Sequence, residues 1–396
     1  MSRHHVVTLF GTRPEAIKLA PVVQELERRS EEFEHTVVTT GQHREMLQQV
    51  LSTFDIRPDV DLELMQHDQT LAEFAARALS SVAALFAKLK PDAVLVQGDT
   101  TTVMSTAMAG FYQGVVVGHV EAGLRSYDRR NPFPEEINRR VAGCVADLHF
   151  APTEGARQNL LREGVLEPTV YVTGNTIVDA LQSITLDATF EDPRLNHVDF
   201  TNKRILLVTA HRRENHGAPI RSICKALKKL VTEYPDVEVV YPVHLNPNVR
   251  KPVFDELGHH PQIHLTSPAS YTDLLRLMKQ CFLILTDSGG IQEEAPSFHK
   301  PVLILREVTE RPEVVEVGAG RIVGTDSRQI VRATTQLLTD PAAYRAMSTT
   351  VNPFGDGQAA VRIADALAEH LNQRKQPAFG SVIRTDTAPV REVARC

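Results

Sequence analysis

The sequence predicts an α/β protein with two doubly wound domains that face each other across a cleft. Short apolar runs of strand-forming residues alternate with helical patterns along most of the chain, as in proteins built on parallel sheets. The chain has 396 residues, which is more than one hydrophobic core usually holds. Residues 185–203 are weakly patterned and contain proline and several acidic side chains, which is typical of a linker between two domains.

The first domain is predicted over residues 1–174. Pro14 favours a helix that starts just after residue 11 and ends near residue 29, because proline suits a first helical turn. Apolar residues that recur on one face predict another helix over 71–89. Buried strands are expected over 6–10, 35–40, 93–96, 115–120, 148–151 and 170–175.

The second domain is predicted over residues 175–356 and repeats the alternation. Helices are expected from residue 271 and over 327–338, and strands over 204–210, 237–241, 263–265, 282–285 and 301–305. Residues 373–396 are rich in Pro, Thr, Arg and Ser, so we expect them to form a mobile tail.

The composition is that of a soluble globular protein, with 42% hydrophobic and 23% charged residues. A formal net charge of −6 argues against a nucleic-acid partner, whose binding surface would be basic. The first apolar run is too short for a signal peptide or a membrane span, so we expect a cytoplasmic protein with no membrane partner. The sequence has four cysteines, Cys144, Cys224, Cys281 and Cys396. Their spacing is not typical of a zinc site or of disulfides, so we expect no bound metal.

A glycine turn follows the apolar strand predicted at 282–285. Residues 287–290, Asp-Ser-Gly-Gly, combine capping and turn residues, and a helical pattern follows. Adjacent glycines let backbone N–H groups approach an anion, and a helix N-terminus favours a phosphate there. Glu293 and Glu294 can accept hydrogen bonds from sugar hydroxyls, so the segment is predicted to bind a diphosphate and a ribose without a metal. The alternative is an ordinary βα turn with a solvated acidic helix.

Basic residues occur at two kinds of predicted turn. Arg13 and Lys18 lie at or just inside a helix N-terminus, where a cation is unfavourable unless an anion binds. This favours anion binding over the alternative of solvated surface charge. His211 and His244 follow predicted strands of the second domain, and ordinary loop histidines are the alternative for both.

Carboxylates follow the ends of predicted strands in the first domain. Asp99 and Glu121 come after the strands at 93–96 and 115–120, and ligands bind beyond the carboxyl ends of such strands. Asp99 could instead be only a helix N-cap. Glu135 opens a further helix, where a negative charge is favoured by the helix dipole whether or not it has a function.

The chain resembles the non-hydrolysing UDP-N-acetylglucosamine 2-epimerases. The resemblance covers nearly everything except the linker and the tail, and it rests on long motifs that occur in the same order as in that family. They are 10–18 (FGTRPEAIK), 98–102 (GDTTT), 118–125 (GHVEAGLR), 134–136 (PEE), 211–214 (HRRE), 241–244 (YPVH), the glycine stretch at 282–295, and 352–357 (NPFGDG).

The resemblance implies the two-domain GT-B fold of many nucleotide-sugar enzymes, with Rossmann-like domains, UDP held by the second domain, and a final helix over about 357–372 that crosses back to the first. It also implies a homodimer. The catalytic set implied by the family is Asp99, Glu121, Glu135 and His211. The residues implied to bind the phosphates or UDP are Arg13, Lys18, Arg212, Arg213, His244, Ser288, Gly289, Gly290 and Glu294.

The chemistry of the implied substrate favours elimination. The C2 proton of the sugar is not acidified by a neighbouring carbonyl, so inversion needs either transient oxidation or departure of the anomeric UDP. The sequence shows no nicotinamide fingerprint, and we therefore expect no cofactor. Elimination to 2-acetamidoglucal, followed by re-addition of UDP, is the route that the resemblance implies. It requires proton-handling groups on opposite faces of C2 and cations at the diphosphate.

In bacterial members the substrate also activates the enzyme from a second pocket near the counterparts of Gln42, His43, Arg212 and His244, and Gln42 and His43 are the candidates for it here. Some members have Gln and Arg where this chain has Glu45 and Asp68. A carboxylate in place of a cation would weaken a diphosphate site.

Three other functions are compatible with the same pattern. A hydrolysing relative would release N-acetylmannosamine and UDP. A GT-B glycosyltransferase would need an acceptor surface. A non-catalytic regulator that binds a nucleotide sugar would not require three carboxylates beside a diphosphate.

Overall fold

The computed structural model describes residues 3–41, 44–66, 68–186 and 189–374, without the side chains of residues 44–46. Within these residues the chain forms two α/β domains, each built on a fully parallel sheet. This is the two-domain, Rossmann-like GT-B architecture that the sequence predicted. The predicted tail from 375 onward, and Gln42 and His43, lie outside the described residues.

The sheet of the first domain has seven described strands in the order β3-β2-β1-β4-β5-β6-β7. The strands are β1 (His4–Phe10), β2 (Phe33–Thr39), β3 (Val60–Asp61), β4 (Ala93–Gln97), β5 (Val116–Val120), β6 (Leu148–Ala151) and β7 (Val170–Val172). The helices are α1 (Arg13–Arg28), α2 (Arg44–Thr53), α3 (Leu71–Leu89), α4 (Thr101–Gln113), α5 (Glu135–Val145) and α6 (Glu154–Arg162), and α7 (Thr176–Ser183) follows the last strand and lies between the two domains.

The sheet of the second domain has six described strands in the order β10-β9-β8-β11-β12-β13. The strands are β8 (Arg204–Thr209), β9 (Val237–Pro242), β10 (Ile263–Thr266), β11 (Leu283–Thr286), β12 (Val302–Ile304) and β13 (Gly320–Ile322). The helices are α8 (Ala218–Glu233), α9 (Pro247–Leu257), α10 (Tyr271–Gln280), α11 (Gly289–Glu294), α12 (Pro312–Glu316), α13 (Ser327–Thr339), α14 (Pro341–Ser348) and α15 (Ala359–Gln373).

The central strands are apolar because helices cover both faces of each sheet. Every residue of β4, β5 and β11 is buried, which agrees with the continuous apolar runs of the sequence. Helix α3 follows its predicted bounds: Thr70 and Glu73 form a capping box at its start, and Phe74, Ala78, Val82 and Phe86 are its buried face.

The two domains share buried apolar surface around α7, which contacts α1 and α11. The largest apolar cluster accordingly contains Ile17 and Ile177 together with Ile291. The predicted domain boundary after Gly174 falls immediately before α7. Helix α15, at the position predicted for the helix that crosses back, packs on α1 and α7.

The segments that join the domains meet at one place. The Asn175 N–H donates to the Phe354 carbonyl at 2.6 Å, and a Cβ on Gly174 would lie 3.3 Å from the Gly355 Cα. Both glycines have positive φ, so a close approach of two backbones is achieved without steric strain. In the described part of the chain, no helix is both long enough and apolar enough to cross a membrane.

Candidate active site

A cavity of about 670 Å³ lies where the carboxyl ends of β4, β5, β8 and β11 converge. The first domain contributes Arg13, Lys18, Asp99, Glu121, Glu135 and Arg139 to its wall. The second domain contributes His211, Arg212, His244, Tyr271, Ser288, Gly290, Glu293, Glu294 and Arg311. The sheet arrangement therefore places these side chains at the edge where open α/β domains bind their ligands.

Asp99 is paired with a cation of the same domain. Arg139 of α5 donates from Nη2 to Asp99 Oδ2 at 2.5 Å. The N-cap of α4 is Thr100, whose hydroxyl accepts from the Val103 N–H. The alternative that Asp99 is the helix cap is therefore wrong, and its carboxylate is directed into the cavity.

Glu121 has an unusual backbone and a buried carboxylate. Its φ of 63° lies in the left-handed region, which costs a non-glycine residue on the order of 1 kcal/mol or more and is typical of functional turns. Lys18 Nζ and Asn175 Nδ2 both donate to Glu121 Oε2, the latter at 3.2 Å. Burial raises the pKa of Glu121, and the pairing with Lys18 opposes that rise.

Glu135 and Glu136 are adjacent in α5 and have different environments. Glu135 lines the cavity, and its Oε2 is buried without a hydrogen-bond partner among the described residues. Glu136 is fully buried and accepts from the N–H groups of Ser126 and Tyr127. Glu136 therefore holds the preceding loop, while Glu135 is left for a ligand.

Lys18 connects the two domains through ion pairs. Besides Glu121 it contacts Glu293 of the second domain, with Nζ 2.9 Å from Oε2. Arg311 donates to the other oxygen of Glu293. Lys18 was expected to face phosphates, and in this structure its ammonium is occupied by two carboxylates.

His211 follows β8 and is fixed by its backbone. The N–H groups of His211 and Arg212 both donate to Asp287 Oδ2 at 2.8 Å. The His211 ring stacks on that of His244, with centroids 5.4 Å apart. Burial lowers the pKa of His211, and Asp287 opposes this shift.

The glycine turn lines the cavity on the side of the second domain. Ser288 is the N-cap residue of α11 without a side-chain capping bond, and Gly290 lines the cavity. A Cβ on Gly289 would lie 3.8 Å from Arg212 Nη2, so this glycine lies beneath the guanidinium. The turn therefore presents backbone and basic groups to the same space.

Glu294 lines the cavity beside one aromatic and one basic side chain. The Tyr271 hydroxyl donates to Glu294 Oε1 at 3.1 Å, and the Arg13 guanidinium lies 5.7 Å from the centre of the Tyr271 ring. Burial, reinforced by the negative charge of Glu293, raises the pKa of Glu294 to about 7.

The structure brings most of the expected site residues together, but neither Gly289 nor Arg213 lines the cavity. Arg213 is exposed and does not line the cavity. The reason is local: Asp287 fixes the backbone of Arg212, and the 3₁₀ turn Arg213–Asn215 then carries Arg213 to the surface. In this structure Arg213 therefore lies outside the cavity in which the sequence prediction placed it.

Four residues of the site were not selected from the sequence: Arg139, Tyr271, Asp287 and Arg311. Arg311 occurs in a loop of alternating charge after β12, where the sequence does not indicate which cation is buried. Asp287 was interpreted as a capping residue of the glycine turn, but it contacts the loop after β8 instead. Among the described residues, no group of His, Cys, Asp and Glu is arranged to hold a metal ion.

Comparison with known proteins adds direct relatives. Residues 24–368 match the family model described as UDP-N-acetylglucosamine 2-epimerase. The chain belongs to this family of epimerases. The UDP-N-acetylglucosamine 2-epimerase of Escherichia coli K12 is 51% identical over 369 residues, which are 91% of this chain and 98% of the relative.

Solved structures of epimerases also superpose over nearly the whole chain. The UDP-GlcNAc 2-epimerase from Neisseria meningitidis bound to UDP-GlcNAc has a TM-score of 0.83 at 44% identity and covers 92% of this chain and 100% of its own. The co-structure of S. aureus MnaA with UDP has a TM-score of 0.84 at 48% identity and covers 93% of this chain and 97% of its own. The cavity of this epimerase family member is therefore the candidate active site.

Proposed function

We propose that the protein interconverts UDP-N-acetylglucosamine and UDP-N-acetylmannosamine without releasing a free sugar. The observation that carries the proposal is one cavity lined by Asp99, Glu121 and Glu135 of the first domain and by basic groups of both domains. A site that only binds a nucleotide sugar would not need three carboxylates beside a diphosphate. Membership of the epimerase family supports the reaction type.

The proposed reaction breaks the bond between C1 and the diphosphate oxygen, and UDP leaves with the electron pair. Positive charge develops at C1, a carboxylate takes the C2 proton, and neutral 2-acetamidoglucal forms. In the return step a proton is delivered to the opposite face of C2, and the UDP oxygen re-forms the bond to C1. General acids and bases contribute about 10²–10⁴-fold to such proton transfers.

The environments of the carboxylates suit this chemistry. The raised pKa of Glu121 lets it hold or release a proton nearer neutral pH than an exposed glutamate does. Glu135 has a buried oxygen that no described donor satisfies. Asp99, paired with Arg139, completes the set on the first-domain wall.

Re-addition requires that UDP stay bound between the two steps, and several groups support this. The guanidiniums of Arg13 and Arg212 make no hydrogen bond or ion pair with any described residue, so both are available to an anion. Arg311 and the turn at 288–290 lie on the same wall. The N. meningitidis and S. aureus relatives were solved with UDP-GlcNAc and UDP, respectively. Glu294 is proposed to accept from the ribose hydroxyls.

The reaction is tested by proton NMR of UDP-N-acetylglucosamine incubated with the protein in deuterated water. The expected result is appearance of UDP-N-acetylmannosamine, with deuterium at C2 of both epimers. Substrate labelled with ¹⁸O in the bond between C1 and the diphosphate should also scramble the label into the terminal phosphate oxygens, because that bond breaks reversibly.

Other products would identify other functions. Free N-acetylmannosamine and UDP would indicate a hydrolysing enzyme. An unchanged spectrum despite saturable UDP binding would indicate a regulator or a transferase that lacks its acceptor. Epimerisation without deuterium at C2 would contradict the elimination route.

A further inference from the structure

Asp287 is a buried carboxylate that connects two strand ends of the second domain. It follows β11 and is fully buried. Its Oδ2 accepts from three donors of the neighbouring loop: the N–H groups of His211 and Arg212 and the Nδ2 of Asn215, all at 2.8 Å. One oxygen of this carboxylate is therefore saturated by the loop that carries His211.

The other oxygen of Asp287 has no such partner. Oδ1 is buried and receives no hydrogen bond from any described residue. Leaving a buried carboxylate oxygen unsatisfied is costly, and native structures rarely do so without a reason. His211 Nδ1 lies 3.6 Å from Oδ1, slightly beyond normal hydrogen-bond distance. A small movement of the ring would complete the bond.

The stacked neighbour His244 provides a contrast. Its Nδ1 accepts the Asn246 N–H at 3.0 Å, so this nitrogen carries no proton and a neutral His244 must be protonated at Nε2. A neutral His211 facing a carboxylate oxygen with Nδ1 must be protonated at Nδ1. The two stacked rings are therefore expected to be opposite tautomers.

We propose that Asp287 is the positioning residue of His211: it fixes the Nδ1–H tautomer and the ring plane, so that Nε2 is presented to the bound nucleotide sugar. This inference rests on the proposed function for the role of His211 in catalysis, although the tautomer itself does not. Nε2 makes no hydrogen bond with any described residue. If Nε2 takes up a proton, the carboxylate of Asp287, with Oδ1 3.6 Å from Nδ1, stabilises the imidazolium.

A purely structural role for Asp287 would have different consequences. In that case the carboxylate serves only to anchor the loop through Oδ2, and the tautomer of His211 would not depend on it. The charged and titratable groups that face His211 are Asp287, His244, Arg212 and His216. Among these, Asp287 is the one anion, so only its removal takes away an acceptor at Nδ1.

The direct test is a ¹H–¹⁵N multiple-bond spectrum of the full chain labelled with ¹⁵N-histidine, recorded above the pH at which His211 ionises. The chain has 16 histidines, so His211→Gln and His244→Gln variants assign the two signals by their loss. We expect His211 to show the Nδ1–H pattern and His244 the Nε2–H pattern. A wild-type His211 in the Nε2–H tautomer would overturn the proposal without any Asp287 variant.

The variant Asp287→Asn tests whether Asp287 determines the tautomer of His211. Its amide oxygen can still accept the backbone N–H groups, but the amide nitrogen would then face His211 Nδ1 and donate to it. We expect His211 to switch to the Nε2–H tautomer and turnover to fall by roughly 10²–10⁴-fold, with UDP affinity little changed. Retention of the Nδ1–H tautomer in this variant would contradict the proposal.

Asn215→Ala is the matched control, because it removes one donor to Oδ2 and leaves the contact between Oδ1 and Nδ1. It should keep the Nδ1–H tautomer of His211, and a switch in this control would point to general loosening of the loop. The outcomes separate the two proposals. The expected tautomers without epimerisation would refute the proposed reaction alone, whereas epimerisation with the wrong tautomer would refute the role of Asp287 alone.

Discussion

The two walls of the cleft carry different chemistry. The first-domain wall presents Asp99, Glu121 and Glu135, and two of its three cations, Arg139 and Lys18, are already paired with carboxylates, while Arg13 is the third. The second-domain wall presents the stacked histidines, Arg212, Arg311 and the glycine turn. In the proposed reaction the first-domain wall supplies the carboxylates for proton transfer, and anion binding involves Arg13 of that wall as well as the second-domain wall. Changes on the two walls should accordingly affect different kinetic quantities.

The largest effect is expected for Glu135 on the first-domain wall. Glu135→Gln should lower turnover by roughly 10²–10⁴-fold, because an amide cannot exchange the proton, while UDP affinity and the urea unfolding midpoint stay near those of the wild type. Steady-state kinetics, UDP titration and urea unfolding measure the three quantities.

The neighbouring Glu136 supplies a control for this variant. Glu136→Gln should lower stability by about 1–3 kcal/mol, because the N–H groups of Ser126 and Tyr127 lose a buried anionic acceptor. If Glu135→Gln and Glu136→Gln lost turnover and stability to the same extent, the assignment of Glu135 to the reaction and of Glu136 to the loop would be contradicted.

The ionic contact between the walls should give the next largest effect. Glu293→Gln leaves the Lys18 ammonium and the Arg311 guanidinium without their shared partner, and breaking a buried pair costs roughly 3–5 kcal/mol. The measurement is the urea unfolding midpoint. Glu310→Gln, which removes a more exposed neighbour of the same guanidinium at 4.0 Å, should change it far less. Similar midpoints for both variants would show that the contact between the walls contributes little.

Adjacent arginines test anion binding on the second-domain wall. Arg212→Ala should weaken UDP binding roughly 10- to 100-fold, because a charge-assisted bond to a phosphate is lost, with a smaller change in turnover at saturation. Arg213→Ala should leave UDP affinity unchanged, since that side chain is exposed outside the cavity. Isothermal titration of UDP compares them, and a larger loss for Arg213 would restore the original sequence prediction.

The smallest effect is a pH dependence of stability at Glu294. Its pKa is about 7 in the folded protein and near 4.5 in the unfolded chain, so the folded state retains a proton that the unfolded chain has released. This contribution to stability is complete below about pH 4.5 and is lost as the pH rises to about 7, at up to about 1.4 kcal/mol per pH unit.

Glu294→Gln should remove this slope. The free energy of unfolding of the variant relative to the wild type should therefore increase with pH through the same window. A difference that stays constant with pH would mean that Glu294 ionises as an exposed glutamate does.

Much of the fold and part of the site could be predicted from the sequence. Central strands such as β4 and β11 are buried on both faces, so their continuous apolar runs identify them locally. Asp99, Glu121 and the glycine turn were found because parallel sheets direct the ends of their strands to a common edge.

The remaining features depend on contacts between distant parts of the chain. Lys18 meets Glu121 and Glu293 only after both domains have folded, so its helix position suggested a phosphate instead of a carboxylate. Arg212 and Arg213 are equivalent as neighbours in sequence, and only the bond from the Arg212 N–H to Asp287 determines which side chain turns inward. Local patterns carry no information about such pairs.

The meeting of Gly174 with Gly355 has a mechanical consequence. Two neighbouring segments join the domains at this point, linked by the bond from the Asn175 N–H to the Phe354 carbonyl. Because this bond holds the two segments together, a side chain introduced at Gly174 would push against the Gly355 backbone and disturb both connections at once.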